Sequence, residues 1–310
     1  MKRFVLISCC NIGVMERVKD RVAAIGTFDG VHRGHRSVLK MMTDYAIAHD
    51  MEPLAITFSN HPLSLIDPSR TPKTLTPLKK KKNLLQEVGS VPKVFEFDSS
   101  LRNTTAAQWM RKLHDEMGVK TLIIGYDNTF GSDGVYLSLE DYKKIGKEIG
   151  IEVLTAPEIK DVSSSAIRKA VSEGEMEAER NMLGRPYSIT SKVVSGNSLG
   201  HTIGFPTANL EIPEGVAVPK IGVYAAIVKI LETGKKYAAM VNIGKRPTVM
   251  RGDGVVIEAH LLDWDGDLYG KEITVRFLKR IRNEEKFESI DALKRQLAKD
   301  REEVLAFVAL

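Results

Sequence analysis

The hydrophobic pattern of this 310-residue chain changes near Gly184, and that change limits the folds open to it. Before Gly184, short apolar runs alternate with segments of helical spacing, which is typical of a parallel, doubly wound sheet with helices on both faces. After Gly184, runs with the two-residue period of half-buried strands follow one another, which favours a small antiparallel barrel. We therefore predict an α/β domain over residues 16–184 and a β-barrel domain with a closing helix over residues 185–310.

The individual elements follow from the same periods. In the first domain we predict strands at 22–25, 53–58, 94–97, 121–125 and 151–155. Helices are predicted at 36–48 and at 106–117, the second of which ends at Gly118. A third helix is predicted to begin at the capping pair of Ser138 and Asp141 and to end at Gly150. Two short helices split by Gly174 are predicted over 164–183. The second domain has predicted strands at 192–195, 223–230, 236–243, 256–263 and 272–280 and a helix at 289–310. The tract Lys79–Lys82 is predicted to be a solvated helix face.

Composition indicates a globular protein in a reducing compartment. The hydrophobic share is 43%, and the net charge of +5 suits phosphate-rich ligands without requiring nucleic acid. Cys9 and Cys10 are adjacent and cannot form a disulfide framework. No apolar run approaches the roughly 18 residues of a membrane span, and the first one is shorter than a signal peptide requires. We predict a cytoplasmic protein without nucleic-acid or membrane partners. Whether Met1 or Met15 is the start, and the oligomeric state, stay open.

The strongest local motif is GTFDGVHRGH at residues 26–35, at the turn from the first predicted strand to the first helix. A helix N-terminus offers free N–H groups and the positive end of the helix dipole, which together bind phosphate. His32 and His35 are one helical step apart, so both imidazoles can donate hydrogen bonds to a triphosphate as charge builds up on it. We predict a nucleotide site with these two histidines as catalytic residues. Its predicted ATP-binding residues are Gly26, Phe28, Gly30 and Gly34.

This motif resembles that of the H-x-G-H nucleotidylyltransferases, which transfer the AMP moiety of ATP and release pyrophosphate. The segments TFSNHP (57–62), GYDNTFGSDG (125–134) and VSSSAIR (162–168) are similar to those of bacterial bifunctional riboflavin kinase/FAD synthetases. The resemblance implies a catalytic role for Arg168 and a flavin contact for Asp127. It also implies that three serines bind the ATP phosphates, while the same serines predict a helix N-cap: Ser163, Ser164 and Ser165.

The second half resembles the riboflavin kinase domain of the same family. The matching segments are LGRPYSI (183–189), GFPTAN (204–209), GVY (222–224), NIGKRPT (242–248), EAHLLDW (258–264), LYGKEITVRF (268–277) and IRNEEKF (281–287). In GFPTAN, Gly204 permits close approach to phosphate, while the oxygens of Thr207 and Asn209 are hard ligands suited to the Mg²⁺ carried by ATP. The resemblance implies flavin contacts by Arg282 and Glu285.

Glu258 is the predicted base of the kinase reaction. It alternates with Ile257 and Ala259 along a predicted strand and therefore points to the opposite side of the sheet. A carboxylate there can take the proton from the primary hydroxyl of the ribityl chain as that oxygen attacks the γ-phosphate.

The resemblance implies a bifunctional enzyme that phosphorylates riboflavin to FMN and then adenylylates FMN to FAD. ATP is the co-substrate of both steps, Mg²⁺ the metal, and riboflavin and FMN the small-molecule partners. Three positions depart from the family pattern: Asn128, Thr129 and His201. Two alternatives therefore stay open, namely an enzyme with one domain silenced and a non-catalytic flavin or nucleotide sensor. The preferred redox state of the flavin is also open.

Overall fold

The structure is a computed structural model that describes residues 19–126, 128–195, 204–245 and 254–308. The chain divides into two compact units. The first comprises Met1–Pro72 and Thr76–Val162, and the second comprises Lys73–Leu75 and Ser163–Leu310. Six residues singled out in the sequence lie outside the described residues: Met1, Cys9, Cys10, Met15, Asp127 and His201.

The first unit is built on a parallel sheet whose strands, in its described part, have the order β3-β2-β1-β4-β5. Its strands are β1 (Arg21–Ile25), β2 (Glu52–Phe58), β3 (Val91–Phe95), β4 (Val119–Gly125) and β5 (Glu152–Ala156). Its helices are α1 (Arg33–Ala48), α2 (Leu63–Ile66), α3 (Leu78–Glu87), α4 (Ser99–Arg102), α5 (Ala106–Met117) and α6 (Leu139–Ile149). Two short 3₁₀ helices occupy Pro68–Arg70 and Gly134–Tyr136.

Both faces of this sheet are covered, as the alternation along β1 shows. Val22 and Ala24 pack in one buried cluster with residues of α1 and α3. Ala23 and Ile25 pack in another with residues of α5 and α6. Successive strand residues point to opposite faces, so the continuous apolar run of β1 serves two cores. The predicted doubly wound α/β fold is confirmed.

The helix boundaries follow the predicted capping residues. Ser138 and Asp141 form a capping box at the start of α6. Gly118 and Gly150 end α5 and α6 in the left-handed conformation, with φ of 67° and 92°. Only glycine adopts this conformation without a steric cost, which explains why both helices end there.

The third strand begins three residues earlier and ends two residues earlier than the sequence predicted. It occupies Val91–Phe95 rather than 94–97, and it includes Pro92. Proline has no N–H for a strand ladder and therefore argues against a strand in a sequence reading. Among the described strands this one is at the edge of the sheet, a position at which proline is tolerated because one side of the ladder is unpaired.

The second unit contains a closed antiparallel barrel with the described strand order β10-β7-β6-β11-β8-β9. Its strands are β6 (Ser188–Val194), β7 (Ala208–Leu210), β8 (Gly222–Ile230), β9 (Lys236–Lys245), β10 (Val255–Leu261) and β11 (Glu272–Arg282). Its helices are α7 (Ser164–Glu173), α8 (Met176–Leu183) and α9 (Ile290–Val308). The predicted barrel with a closing helix is confirmed. The strand β7 was not predicted, because two of its three residues, Ala208 and Asn209, lie within GFPTAN, which resembles a turn.

Helices α7 and α8 pack with the barrel. Ile167, Val171, Met176 and Leu183 belong to the same buried cluster as the barrel interior. The second compact unit therefore begins at Ser163, whereas the sequence predicted a domain boundary at Gly184. The predicted boundary concerns the division of activities, and it stays a prediction.

Helix α9 covers part of the outer surface of the barrel. Val304 packs against Ala225, Met240 and Leu262 in a buried cluster outside the barrel interior. Arg282, at the end of β11, forms a salt bridge with Asp300 of α9, whose side chain is 1% exposed. A buried ion pair that is also hydrogen-bonded holds the helix in one register on the barrel.

Candidate active sites

The first candidate site lies at the carboxyl edge of the parallel sheet. Helix α1, which follows β1, packs on one face of the sheet, and α6, which follows β4, packs on the other. Strands β1 and β4 are neighbours, so the connections diverge between them. In open α/β sheets, ligands bind in the crevice beyond the strand ends at such a switch point. The loop at residues 26–32 starts from β1 at this point.

His32 and His35 meet at the start of α1. Their rings are stacked, with centroids 3.6 Å apart and planes inclined by 17°. His32 is the N-cap, and its Nδ1 accepts a hydrogen bond from the main-chain N–H of His35 at 3.3 Å. An accepting Nδ1 leaves the proton of the neutral ring on Nε2. The structure therefore brings the two predicted histidines together at the positive end of a helix dipole.

Glycine is needed beside these rings. A Cβ atom on Gly34 would lie 3.2 Å from the ring of His32, and one on Gly26 would lie 3.2 Å from the ring of Phe28. Phe28 is 2% exposed and meets the ring of His35 edge-on at 5.3 Å. Its side chain is a packing element, so the predicted contact between Phe28 and ATP would have to come from its main chain.

The loop between β1 and α1 has an unusual backbone. Phe28, Gly30 and Val31 have φ values of 47°, 90° and 42°. Left-handed conformations are unfavourable for phenylalanine and especially for a β-branched valine. Such strain persists only where surrounding contacts fix the backbone, and it is concentrated at functional sites. The sequence motif predicted the glycines but not the strain at its apolar residues.

Asn128, one of the departures from the family pattern, has a clear structural contact. Its side-chain N–H donates to the carbonyl of Ile25, the last residue of β1, at 2.5 Å. The loop after β4 is thereby joined to the strand that leads into the histidine motif. Thr129 beside it is exposed. Asn128 therefore forms a polar link at this edge of the sheet.

Lys81 contacts this edge of the sheet and is not the solvated residue that the sequence predicted. The prediction that Lys79–Lys82 is a solvated helix face holds for Lys79 and Lys82, which are exposed, and is wrong for Lys81, which is 7% exposed. Its Nζ donates to the carbonyls of Thr27 and Phe58 at 3.0 and 2.8 Å. Burial lowers the pKa of Lys81 to about 8, and the nearby Asp29 carboxylate opposes that shift.

The serine run belongs to the second unit. Ser163 is the N-cap of α7, and its hydroxyl accepts from the main-chain N–H of Ala166 at 3.1 Å. The predicted N-cap is confirmed. Arg168, one turn further, donates from Nε to the carbonyl of Lys73 at 2.8 Å. The contacts of Ser163, Ser164, Ser165 and Arg168 with ATP phosphates stay a prediction.

The second candidate site lies on the outer surface of the barrel, at β7, β9 and β10. Glu258 is directly opposite Asn209 on one neighbouring strand and Asn242 on the other. Ile257 and Ala259 on either side of it are fully buried in the interior cluster. The predicted outward direction of Glu258 is confirmed. Asn242 was not singled out, because only the strand register shows that it lies beside Glu258.

The predicted magnesium ligands line a cleft to which β10, the strand of Glu258, contributes Ala259 and Leu261. Thr207 is exposed and Asn209 is 7% exposed. Both line a cleft of about 320 Å³ between β6, β7 and the loop from Trp264 to Tyr269. Gly204 has a φ of 87°, and a Cβ there would meet nothing within 4 Å. A hydroxyl and an amide oxygen are hard donors, so their chemistry fits Mg²⁺ bound to a nucleotide.

His260 fixes the turn that carries these ligands. Its Nδ1 is 2.7 Å from the carbonyl of Pro206, which can only accept, so Nδ1 carries the proton. Burial lowers the pKa of His260, and Arg301 lowers it further, while the bond to Pro206 acts in the opposite direction. The ring also meets Phe205 at 5.3 Å. His260 is thus a neutral donor that holds the GFPTAN turn against β10.

The two predicted flavin residues of the described chain differ in their surroundings. Arg282 donates from Nε and Nη2 to the carboxylate of Asp300, at 2.7 Å for the shortest bond, and from Nη1 to the carbonyl of Asn283. Much of its hydrogen-bonding capacity therefore serves the attachment of α9. Glu285 is exposed. The flavin contacts of both residues stay a prediction.

Comparison with known proteins identifies the family of this chain. A family profile described as FAD synthetase matches residues 14–169, and one described as riboflavin kinase matches residues 183–308. A bifunctional riboflavin kinase/FMN adenylyltransferase of Escherichia coli K12 is 38% identical, with 90% of each chain covered. One of Bacillus subtilis is 34% identical and covers 95% of this chain and 94% of its own. The chain belongs to the bifunctional riboflavin kinase/FMN adenylyltransferase family. It phosphorylates riboflavin to FMN and adenylylates FMN to FAD, with ATP as substrate of both reactions.

A solved structure is similar to this chain over most of its length. The crystal structure of a protein named macrolide-efflux protein from Streptococcus pneumoniae is 31% identical to this chain. It superposes with a TM-score of 0.84 over 92% of this chain and 93% of its own. Within the four described ranges, no helix combines the length and apolar character needed to cross a bilayer.

Proposed function

We propose that the bifunctional enzyme adenylylates FMN at the histidine motif of the first unit. The observation that carries this proposal is the stacked pair of His32 and His35 at the N-terminus of α1. A phosphate oxygen of FMN attacks the α-phosphorus of ATP, the bond from that phosphorus to the bridging oxygen breaks, and pyrophosphate leaves. The imidazoles and the helix N-terminus stabilise the charge that develops on the phosphate oxygens.

This reaction needs no general base at the histidine motif. The second pKa of a phosphate monoester is about 6, so the FMN phosphate is largely ionised at neutral pH. Catalysis then consists of positioning the two substrates and stabilising negative charge. A neutral ring with its proton on Nε2, as the Nδ1 contact of His32 indicates, is a donor suited to that role.

We propose that riboflavin is phosphorylated on the barrel, with Glu258 as the general base. The ribityl hydroxyl oxygen attacks the γ-phosphorus, its proton passes to the Glu258 carboxylate, and ADP leaves as the bond to the β,γ-bridging oxygen breaks. An alcohol is a poor nucleophile, which is why this step needs a base and the adenylylation does not. The cleft beside Thr207 and Asn209 is the proposed site of ATP.

Thr207 and Asn209 are the proposed protein ligands of Mg²⁺, which, when bound with ATP, neutralises charge on its phosphates. We expect Asn209→Ala to raise the Mg²⁺ concentration needed for half-maximal kinase activity by at least roughly tenfold, because an oxygen donor is lost. Asn209→Asp keeps an oxygen at the same position and should need much less additional Mg²⁺. Titrating Mg²⁺ at fixed ATP checks this. An unchanged Mg²⁺ requirement in folded Asn209→Ala would exclude Asn209 as a ligand.

The division of activities between the two halves can be tested with fragments. We expect residues 163–310 and residues 185–310 both to make FMN and neither to make FAD. The shorter fragment should melt at a lower temperature, because it lacks the side chains of α7 and α8 that pack against the barrel core. A fragment that folds but does not phosphorylate riboflavin would show that the domain assignment is wrong.

We propose that the protein works in the cytoplasm on small molecules alone. Both reactions consume ATP, which supports a cytoplasmic location. The same chemistry accounts for the basic net charge of +5 without a nucleic-acid or membrane partner.

A further inference from the structure

We infer that Lys81 is a positioning residue of the adenylylation site, because its ammonium group joins Thr27, in the loop that leads to His32, to Phe58 at the end of β2. The inference rests on the proposed role of the histidine motif. It extends that role to a residue that lies outside every motif the sequence analysis assigned to the chemistry.

The position of Lys81 calls for an explanation. It is one of four consecutive lysines on α3, and its neighbours Lys79 and Lys82 are exposed while Lys81 is 7% exposed. Removing an ammonium group from water is unfavourable unless hydrogen bonds and opposite charge compensate for it. The cost of burial is visible in the pKa of Lys81, which burial lowers to about 8. A lysine that served only solubility would lie on the exposed face with its neighbours.

The contacts of Lys81 converge on the carboxyl edge of the sheet. Its Nζ donates to the carbonyl of Thr27, two residues beyond β1, and to that of Phe58, the last residue of β2. The hydroxyl of buried Thr57 donates to the same Thr27 carbonyl at 3.0 Å. That carbonyl therefore has two donors, one from β2 and one from α3.

A second link joins the histidine loop to the start of α3. The Asp29 carboxylate, 6% exposed, accepts from the main-chain N–H of Thr76 at 3.0 Å, two residues before α3. The same carboxylate favours the charged form of Lys81. Two contacts thus hold the loop: the Lys81 ammonium of α3 binds the carbonyl of Thr27, and the main-chain N–H of Thr76, just before α3, binds the carboxylate of Asp29.

The loop that these contacts fix is the strained one. Thr27 directly precedes Phe28, which with Val31 adopts the left-handed conformation. Val31 in turn precedes His32, the N-cap of α1. Strained residues keep their conformation only where neighbouring contacts determine it. Releasing the Thr27 carbonyl would let the backbone relax and would displace the main-chain N–H groups and the imidazoles that face the triphosphate.

The test is Lys81→Met in the full-length enzyme, with Lys82→Met on the exposed face of the same helix as control. We expect Lys81→Met to lower kcat/KM for FAD formation from FMN by about 100-fold, since misplacement by about 1 Å has that effect. The KM for ATP should rise, which a merely smaller folded fraction would not cause. FMN formation by the same sample should stay near wild type and provides an internal standard. Lys82→Met should change neither activity.

Two outcomes would overturn the inference. The first is that folded Lys81→Met keeps kcat/KM for FAD formation within about threefold of the wild-type value, instead of losing about 100-fold. The other is a lower kcat with an unchanged KM for ATP, which indicates partial unfolding. If Lys81→Met does not fold, Thr57→Val removes the other donor to the Thr27 carbonyl at nearly constant volume. Reduced FAD formation with intact FMN formation then supports the inference, and unchanged FAD formation overturns it.

The histidine variants separate this inference from the proposed function. If His32→Ala with His35→Ala retains FAD formation, the proposed adenylylation site fails. If that double variant loses FAD formation while Lys81→Met retains it, the proposed site stands and only the role of Lys81 fails.

Discussion

Replacing His32 and His35 together by alanine is expected to abolish FAD formation while FMN formation stays close to wild type. Loss of one charge-stabilising donor typically costs roughly 100- to 1,000-fold in rate, and this change removes two donors that share one ligand. The barrel, which carries the proposed base Glu258 and the proposed ATP cleft, is untouched. Chromatographic separation of flavins, with FMN supplied in one reaction and riboflavin in the other, measures both activities in the same preparation.

The controls for this experiment follow from the contacts of the two rings. His32 caps α1, and loss of an N-cap lowers stability by about 0.5–2 kcal/mol, so the melting temperature of the variant must be measured. His49 is an exposed histidine just after the same helix, and His49→Ala is a matched control. A parallel loss of kinase activity in a folded double variant would contradict the assignment of the two activities to separate sites.

Glu258→Gln is expected to lower the kinase rate by at least about 100-fold, the lower limit of what general-base catalysis contributes. Glutamine keeps the shape of the side chain and its hydrogen bonding but does not accept the proton of the ribityl hydroxyl. Affinities for riboflavin and ATP should change little. FAD formation from supplied FMN should be unaffected, because the proposed adenylylation site lies in the first unit.

Steady-state kinetics distinguish a base from a positioning role for Glu258. A base predicts a fall in kcat with nearly constant KM values, whereas a residue that only places the flavin or its metal predicts the reverse. Glu272, exposed on β11 of the same barrel, provides Glu272→Gln as a control. A rise in KM with unchanged kcat would refute the role of Glu258 as base.

Sequence patterns predicted the two architectures because each depends on a repeated signal. Strand–helix alternation and the two-residue period each recur in several elements of a domain. An error in the bounds of one element therefore does not change the predicted fold class. The exceptions are local. β7 has three residues, too few to show a period, although it closes the barrel between β6 and β10. The predicted bounds of the edge strand β3 began too late because they excluded Pro92, and proline argues against a strand that is paired on both sides.

The sequence predicted those site residues that belong to a single local motif. The histidine pair and the outward direction of Glu258 follow from spacing, and the structure shows both. Lys81 could not be recognised, since four consecutive lysines give no sign of which one is buried. Asn242 and His260 required the strand register and the contact with Pro206, which no local pattern contains. Tertiary contacts between segments distant in sequence therefore supplied what the motifs lacked.

The central claim, that one chain carries both activities at two sites, is tested most directly by a time course of the wild-type enzyme with riboflavin, ATP and Mg²⁺. We predict that FMN appears first and that FAD then forms from it, with one pyrophosphate released for each FAD. FMN that accumulates without FAD would contradict the claim, because only the barrel would then be active. Riboflavin that remains unchanged would contradict it entirely and would favour a protein that binds flavin or nucleotide without turnover.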